Sequence, residues 1–431
     1  MVETKVFMSS SVSTSPTGFD RFGLNELLLR GIRDAGFENP RPIQNETIPA
    51  GLDGRDVLGL AQTGTGKTAA FALPMLHRLL NHPYQAPRVL ILAPTRELAT
   101  QIAGEIRTLA KYTRLKMVTI YGGVSMRNQI NALRNEPEIV VGCPGRVLDL
   151  LQQGELHLGE IETLVLDEAD HMFDMGFLVD IRKILASLPG NRQNLLFSAT
   201  MPKEVRRLAD ELLSSPHVVE LADSAPAATI EHALVMVSES RKRDLLEHVI
   251  GEPEFESAIV FTRTKHRAKR LAEQLSKAGH RAVGIQGNLS QAQRDRAMRG
   301  FRSRQFNILV ATDIVARGID VSGVSHVINF DVPNTPEAYT HRIGRTGRAE
   351  CEGIACTFVT GEDHSWLRAT ERMIGSSITR RQVEGFAPDT TVRSVPRAPA
   401  RNQERYARPA AQPQYGRFDS GGRGRGRRRA G

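Results

Sequence analysis

The feature that most constrains this chain is a repeated alternation of short apolar runs and amphipathic stretches. Between residues 89 and 200 the runs are VLILAP (89–94), MVTIY (117–121), EIVVG (138–142), TLVLDEAD (163–170) and NLLFSAT (194–200). They are apolar throughout rather than every second residue, and they stop close to Gly, Pro or acidic residues. Strands buried on both faces of a parallel sheet have that composition. Stretches such as RELATQIAGEIRTLAKY lie between them with helical spacing. Strand, helix and strand in succession predict an α/β fold with a doubly wound parallel sheet. A second block repeats the pattern with SAIVFT (257–262), RAVGIQG (281–287), FNILVAT (306–312), VSHVINF (324–330) and GIACTFV (353–359). Its helices are RAKRLAEQLSKAG and QAQRDRAMRGFRS.

A chain of 431 residues, 40% hydrophobic, exceeds what one core usually organises, so two domains are expected. The boundaries read as a Ser/Thr-rich leader at 1–18, a first domain at 19–221, a linker ADSAPAAT at 222–229, a second domain at 230–385 and a tail at 386–431. The tail is rich in Arg, Gly, Pro and Gln, a composition that favours disorder. Residues 391–431 hold eleven Arg against one Glu and one Asp, which leaves +9, the formal net charge of the whole chain. The preceding residues therefore balance, and any polyanion must be met there by local patches. Cys143, Cys351 and Cys356 give no disulfide framework, and the C-x4-C spacing lacks the second ligand pair of a zinc site. Buried thiols in a reducing compartment are expected. The N-terminus lacks the basic and apolar regions of a signal peptide, and no run of about 18 apolar residues suggests a membrane span. A soluble cytoplasmic protein is the expectation.

Three strings carry chemistry. AQTGTGKT (61–68) fits G-x-x-x-x-G-K-[ST] with Ala61 in place of the first glycine, between the apolar DVLGL and the helical AAFALPMLHRLL. Gly64, Thr65 and Gly66 would wrap phosphates with backbone N–H groups at a helix N-terminus. Lys67 would reach the β- and γ-phosphates and Thr68 would hold Mg²⁺. VLDEAD (165–170) runs a strand into three carboxylates, with Asp167 on the metal side and Glu168 as base. HRIGRTGR (341–348) sets Arg342, Arg345 and Arg348 at a spacing that calls for an anion that nothing local supplies.

Phosphate loop, DEAD, SAT (198–200) and HRIGRTGR, in this order, closely resemble the DEAD-box family of ATP-dependent RNA helicases over roughly residues 19–385. The short core and Arg-rich tail look most like the bacterial RhlE-like branch. The resemblance implies two tandem RecA-like domains that close together on ATP and RNA. It makes GFENPRPIQ (36–44) the adenine-reading element, with Gln44 bonding the base edge, Phe37 packing on the ring and Phe19 as the isolated upstream aromatic. It assigns Thr95, Arg96, Gly123, Gly145 and Arg146 to an RNA-binding strip in the first domain, and Gly287 and Thr312 to its counterpart in the second. A structural ion pair is the alternative for Arg96. Cys143 departs from the family's usual Thr, and Gln286 and Asn288 from the commoner His and Asp. Asp320 would face the ATP ribose. Ser198, Thr200 and Asp170 would couple the Mg²⁺ site to domain movement. Lys67, Asp167, Glu168, His341, Arg345 and Arg348 form the implied catalytic set, with Arg345 and Arg348 as arginine fingers and His341 near the attacking water or the acids. For Arg342 a structural ion pair is the competing reading.

The expected activity is RNA-stimulated ATP hydrolysis coupled to local unwinding of short duplexes or remodelling of RNA–protein complexes. The alternatives are an ATP-dependent RNA clamp and an RNA annealer acting through the tail, where Tyr406, Tyr415 and Phe418 are available to stack on bases. A solubilising tail is the simpler alternative. A DNA translocase fits the motif set less well. Ribosomal or RNA-decay proteins are the expected partner classes.

Overall fold

The computed structural model describes residues 18–386, apart from residue 63 and residues 82–86, 222–229, 314–322, 348–352 and 384. Asp320, Arg348, Cys351, the linker and nearly all of the leader and tail lie outside the described residues.

The chain forms two seven-stranded sheets, parallel throughout. The first holds β1 (Val57–Leu60), β2 (Val89–Leu92), β3 (Met117–Ile120), β4 (Ile139–Gly142), β5 (Thr163–Leu166), β6 (Gln193–Ser198) and β7 (His217–Glu220), in the order β3-β4-β2-β5-β6-β1-β7. The second holds β8 (Ile230–Met236), β9 (Ala258–Phe261), β10 (Ala282–Ile285), β11 (Ile308–Ala311), β12 (His326–Asn329), β13 (Gly353–Val359) and β14 (Thr379–Arg380), in the order β10-β11-β9-β12-β13-β8-β14. Every apolar run named from the sequence contributes a strand. The strands β7, β8 and β14 carried no such signal. β7 is an edge strand whose Val218 is 53% exposed, β8 opens on the polar pair Glu231 and His232, and β14 has two residues.

Both faces of the central strands are buried, which explains their continuous apolarity. Val89 and Ile91 of β2 join one core cluster with Val165 and Phe197, while Leu90 and Leu92 join another with Leu164 and Leu196. The helix Pro42–Leu52 lies close on the helix Lys67–Asn81 because Gly51 faces Pro74; a Cβ at 51 would fall 2.7 Å from the proline ring. That contact brings the start of the first helix over the start of the second. Among the described residues no helix is long and apolar enough to cross a membrane.

Parallel pairing sends every strand of a sheet out at the same edge, and ligands of open α/β sheets bind beyond those carboxyl ends. In the first lobe the loops after β1, β2, β4, β5 and β6 carry residues 61–68, 93–96, 143–146, 167–170 and 198–200. β6 separates β1 from β5, so residues 198–200 emerge between the phosphate loop and the acids.

Candidate active site

Phe37, Gln44, Gly64, Lys67, Thr68, Asp167 and Glu168 line one cavity of about 250 Å³. Residues named from three separate strings thus converge. Gly64 and Gly66 take φ of +86° and +94°, which an unbranched backbone adopts without strain. A Cβ at 66 would fall 2.5 Å from the Gln44 amide nitrogen. Lys67 is buried and donates to its own loop's Ala61 carbonyl at 2.8 Å. Thr65 turns its hydroxyl back to the Gln62 carbonyl at 2.8 Å. Gln44 is wholly buried; its Oε1 accepts from the Arg41 N–H at 2.8 Å and its Nε2 donates to the Gly66 carbonyl at 3.1 Å. Phe37 meets Phe19 edge-on, with ring centroids 6.1 Å apart.

Asp167 and Glu168 are both buried at the end of β5. Burial pushes the Asp167 carboxyl up to about 7, against the pull of Lys67. For Glu168 burial also opposes ionisation. The hydrogen bond from His171 outweighs it together with the charges of His171, Lys67 and Arg345, and the carboxyl is held at about 2. The His171 Nδ1 lies 3.3 Å from the Glu168 Oε2. Glu168 takes φ 51° and ψ 54°, a left-handed conformation that costs a non-glycine residue about 1–3 kcal/mol. Strain of that kind at a buried acid is typical of functional sites.

Asp170 is the hinge between acids and SAT. Its Oδ2 accepts from the Thr200 N–H at 2.9 Å and the Thr200 hydroxyl at 2.8 Å, and its N–H donates to the Ser198 hydroxyl at 3.2 Å. Ser198 in turn donates to the Thr200 carbonyl at 2.7 Å. A shift of either segment must be felt by the other.

Across the cleft, the helix Pro336–Ile343 ends at the arginines. Arg342 is 2% exposed and stays within its own lobe. Its Nε and Nη2 grip Asp313 at 2.5 and 2.8 Å, and its Nη1 donates to the Asn329 side chain at 3.0 Å and the Asp331 carbonyl at 2.7 Å. The guanidinium also lies 4.8 Å from the Phe261 ring centre. It therefore bridges the ends of β11, β9 and β12, and the ion-pair reading of this residue is the one the geometry bears out. Arg345, also buried, lies near enough to Glu168 in the other lobe for its charge to act there.

The lobes touch at a second place that the sequence reading did not single out. Arg294 Nη2 lies 2.6 Å from Glu97 Oε1, with the side chains 10% and 12% exposed, and Arg96 Nη1 donates to Gln291 Oε1 at 3.4 Å. Thr95 caps the helix Arg96–Leu109, accepting from Leu98 N–H at 3.2 Å. Gly123, with φ +77°, makes room for Arg96: a Cβ there would lie 2.1 Å from its Nη1. Gly287 and Gly145 are different, since a Cβ at 287 would meet nothing within 4 Å and one at 145 nothing nearer than 3.9 Å. Nothing among the described residues requires those glycines to be bare. Arg146 pairs with Asp149 at 3.4 Å, and Thr312 is buried at the end of β11. Cys143 sits at the N-cap of the helix Pro144–Gln152 without a side-chain cap bond, and burial pushes its thiol up to about 12. Gln286 Oε1 accepts from the Asn288 N–H at 2.7 Å, and Asn288 accepts from Lys265 at 3.1 Å.

Among the described residues no group of three or more His, Cys, Asp or Glu could hold a metal by itself. A buried carboxylate that lines the same cavity as a hydroxyl, Asp167 with Thr68, suits Mg²⁺, which keeps waters and takes substrate oxygens for most of its shell.

A family model described as DEAD/DEAH box helicase matches residues 41–208, and one described as helicase conserved C-terminal domain matches residues 241–350. The ATP-dependent RNA helicase CshA of Listeria monocytogenes is 47% identical over 82% of this chain and 68% of its own length. The DEAD-box ATP-dependent RNA helicase CshA of Geobacillus kaustophilus is 45% identical over 87% of this chain and 79% of its own. Among solved structures, S. cerevisiae Dbp5 bound to RNA and ADP BeF3 aligns with a TM-score of 0.77 and 34% identity, over 86% of this chain and 96% of that one.

Proposed function

The chain belongs to the DEAD-box family of ATP-dependent RNA helicases, and on that premise we propose how its residues couple ATP hydrolysis to RNA. The protein is an RNA-dependent ATPase. The observation that carries the coupling is the placement of buried Arg345, from one lobe, within reach of buried Glu168 beside the phosphate loop of the other.

Gly64, Thr65, Gly66 and Lys67 bind the phosphates of ATP, with Phe37 and Gln44 at the adenine end and Asp320 on the ribose. Thr68 and Asp167 would hold Mg²⁺, which would neutralise phosphate charge when bound. Glu168 accepts a hydrogen bond from the attacking water and takes its proton. Arg345, with Arg348, stabilises the charge that develops as the γ-phosphoryl group leaves ADP, and His341 lies beside the water. RNA runs over Thr95, Arg96, Gly123, Gly145 and Arg146 of one lobe and over Gly287 and Thr312 of the other. The bare surfaces at Gly145 and Gly287 support close approach of a sugar–phosphate chain. RNA that spans both lobes favours closure, and by reciprocity ATP tightens RNA binding. Ser198, Thr200 and Asp170 transmit the state of the phosphate site to lobe movement. Domain limits at 19–221 and 230–385, a linker at 222–229 and an RNA-binding tail complete the reading.

The RhlE-like branch rests on the short core and Arg-rich tail alone, since the relatives above bear the name CshA. A cytoplasmic location agrees with the free, buried thiols Cys143 and Cys356. Ribosomal or RNA-decay proteins are the partner classes that would direct it to a target.

Steady-state ATPase activity without nucleic acid, with single-stranded RNA and with single-stranded DNA of the same sequence tests the proposal. Strong stimulation by RNA alone is expected. Equal stimulation by DNA would favour a translocase, and none by either would leave closure uncoupled from turnover.

A further inference from the structure

Arg41 stands just before the helix Pro42–Leu52, and no step above uses its side chain. Its Nη1 donates to the Gly64 carbonyl at 2.5 Å, while Gln44 donates to the Gly66 carbonyl at 3.1 Å. One helix start thus holds two alternate peptide units of the phosphate loop by their oxygens. A trans peptide is planar, with C=O and N–H directed oppositely. Fixing the oxygens of Gly64 and Gly66 therefore fixes the N–H groups of Thr65 and Lys67 on the side away from Arg41 and Gln44. Glycine leaves such peptides free to turn over, and a carbonyl turned toward a phosphate would repel it. The two clamps differ in kind. Gln44 is buried and tied to the Arg41 N–H, whereas Arg41 is exposed and makes a charge-assisted bond.

We infer that Arg41 is a positioning residue for nucleotide binding, holding the Gly64–Thr65 peptide with its N–H toward the β-phosphate of a nucleoside di- or triphosphate. The inference rests on residues 64–68 being the phosphate site. Its consequence is selective: affinity for ATP and ADP depends on Arg41, and affinity for AMP, which has no β-phosphate, does not.

The test compares the full chain with Arg41→Met, which keeps an unbranched stem and removes the donors, and with Arg41→Lys, which restores a charged donor. Binding of a fluorescent ADP is titrated, with ATP and AMP as competitors. In the Met variant ADP and ATP should weaken by a common factor of roughly ten, the loss of one charge-assisted hydrogen bond. AMP should compete as it does against the parent protein, and Lys should recover most of the loss. The KM for ATP in RNA-stimulated hydrolysis should rise by more than kcat falls. Unchanged ADP and ATP affinity in the Met variant would overturn the inference. Equal weakening of AMP would overturn it too, by placing Arg41 on the base or ribose. A parent protein that binds neither ADP nor ATP would overturn the phosphate-site reading and this inference with it.

Discussion

The two lobes share a seven-stranded parallel architecture but arrange their buried charge in opposite ways. In the second lobe Arg342 and Lys242 are paired within the lobe, while Arg294 and Arg345 act on acids of the first. Arg342 is bonded to Asp313, Asn329 and Asp331, and Lys242 lies 3.3 Å from Asp331, both nearly inaccessible. In the first lobe, Lys67 donates to a loop carbonyl, Asp167 is pushed up by burial, and Glu168 is held down by His171 and Lys67 and, less, by Arg345 of the other lobe. The difference suits a first lobe that awaits charge and a second that would act as its carrier.

Five substitutions and a pH series can break or sharpen that contrast. Lys67→Ala and Glu168→Gln should each lower turnover by at least about a thousandfold. Glu168→Gln should still bind RNA more tightly with ATP than without; a filter-binding assay showing no ATP effect would remove Glu168 from the hydrolytic role alone. Arg342→Ala should lower stability by about 3–5 kcal/mol, because Asp313 would be left without its partner at the sheet edge. Chemical denaturation that leaves the second lobe unchanged would contradict its role as carrier. Arg294→Ala should weaken ATP-dependent RNA binding by roughly tenfold, about 1.4 kcal/mol, with nucleotide affinity unaltered, as expected when a partly buried interlobe pair is lost. Thr200→Val should be milder, about 0.5–1.5 kcal/mol, since the backbone N–H still reaches Asp170. Strand separation should suffer more than ATPase activity in that variant, and equal losses would argue against a coupling role.

A separate effect is one of pH. Burial, aided by Arg381, lowers the His326 imidazole from 6.5 to about 4. The folded state therefore binds fewer protons there than the unfolded state. Stability from this residue is lost as pH falls from about 6.5 toward 4 and is complete above that window. Melting temperatures of the parent and of His326→Gln, followed across that range, should converge as the pH drops.

Much of the site was legible because its parts are contiguous. A phosphate loop, a strand ending in acids and a Ser-Ala-Thr turn are local strings whose chemistry depends on a few neighbouring residues. The strands were legible where both faces are buried and failed where one is exposed, as at β7, or where polar residues open the strand, as at β8. What escaped needs the fold to exist. Arg342 and Arg345 sit three residues apart with similar burial, and no pattern says which one turns inward. The Glu97–Arg294 contact joins residues nearly two hundred positions apart, and Arg41 gains its role only when one helix start is laid over another. Gly123 also leaves room for the Arg96 guanidinium, a use that no local string shows.

The central claim is that one catalytic site is assembled from both lobes, and Arg345→Ala tests it most directly. ATP affinity and turnover are measured together at saturating single-stranded RNA. The account predicts affinity close to that of the parent protein and turnover lower by about a thousandfold or more. Turnover at the parent rate would mean that the first lobe hydrolyses ATP unaided, and that Arg345 is misassigned.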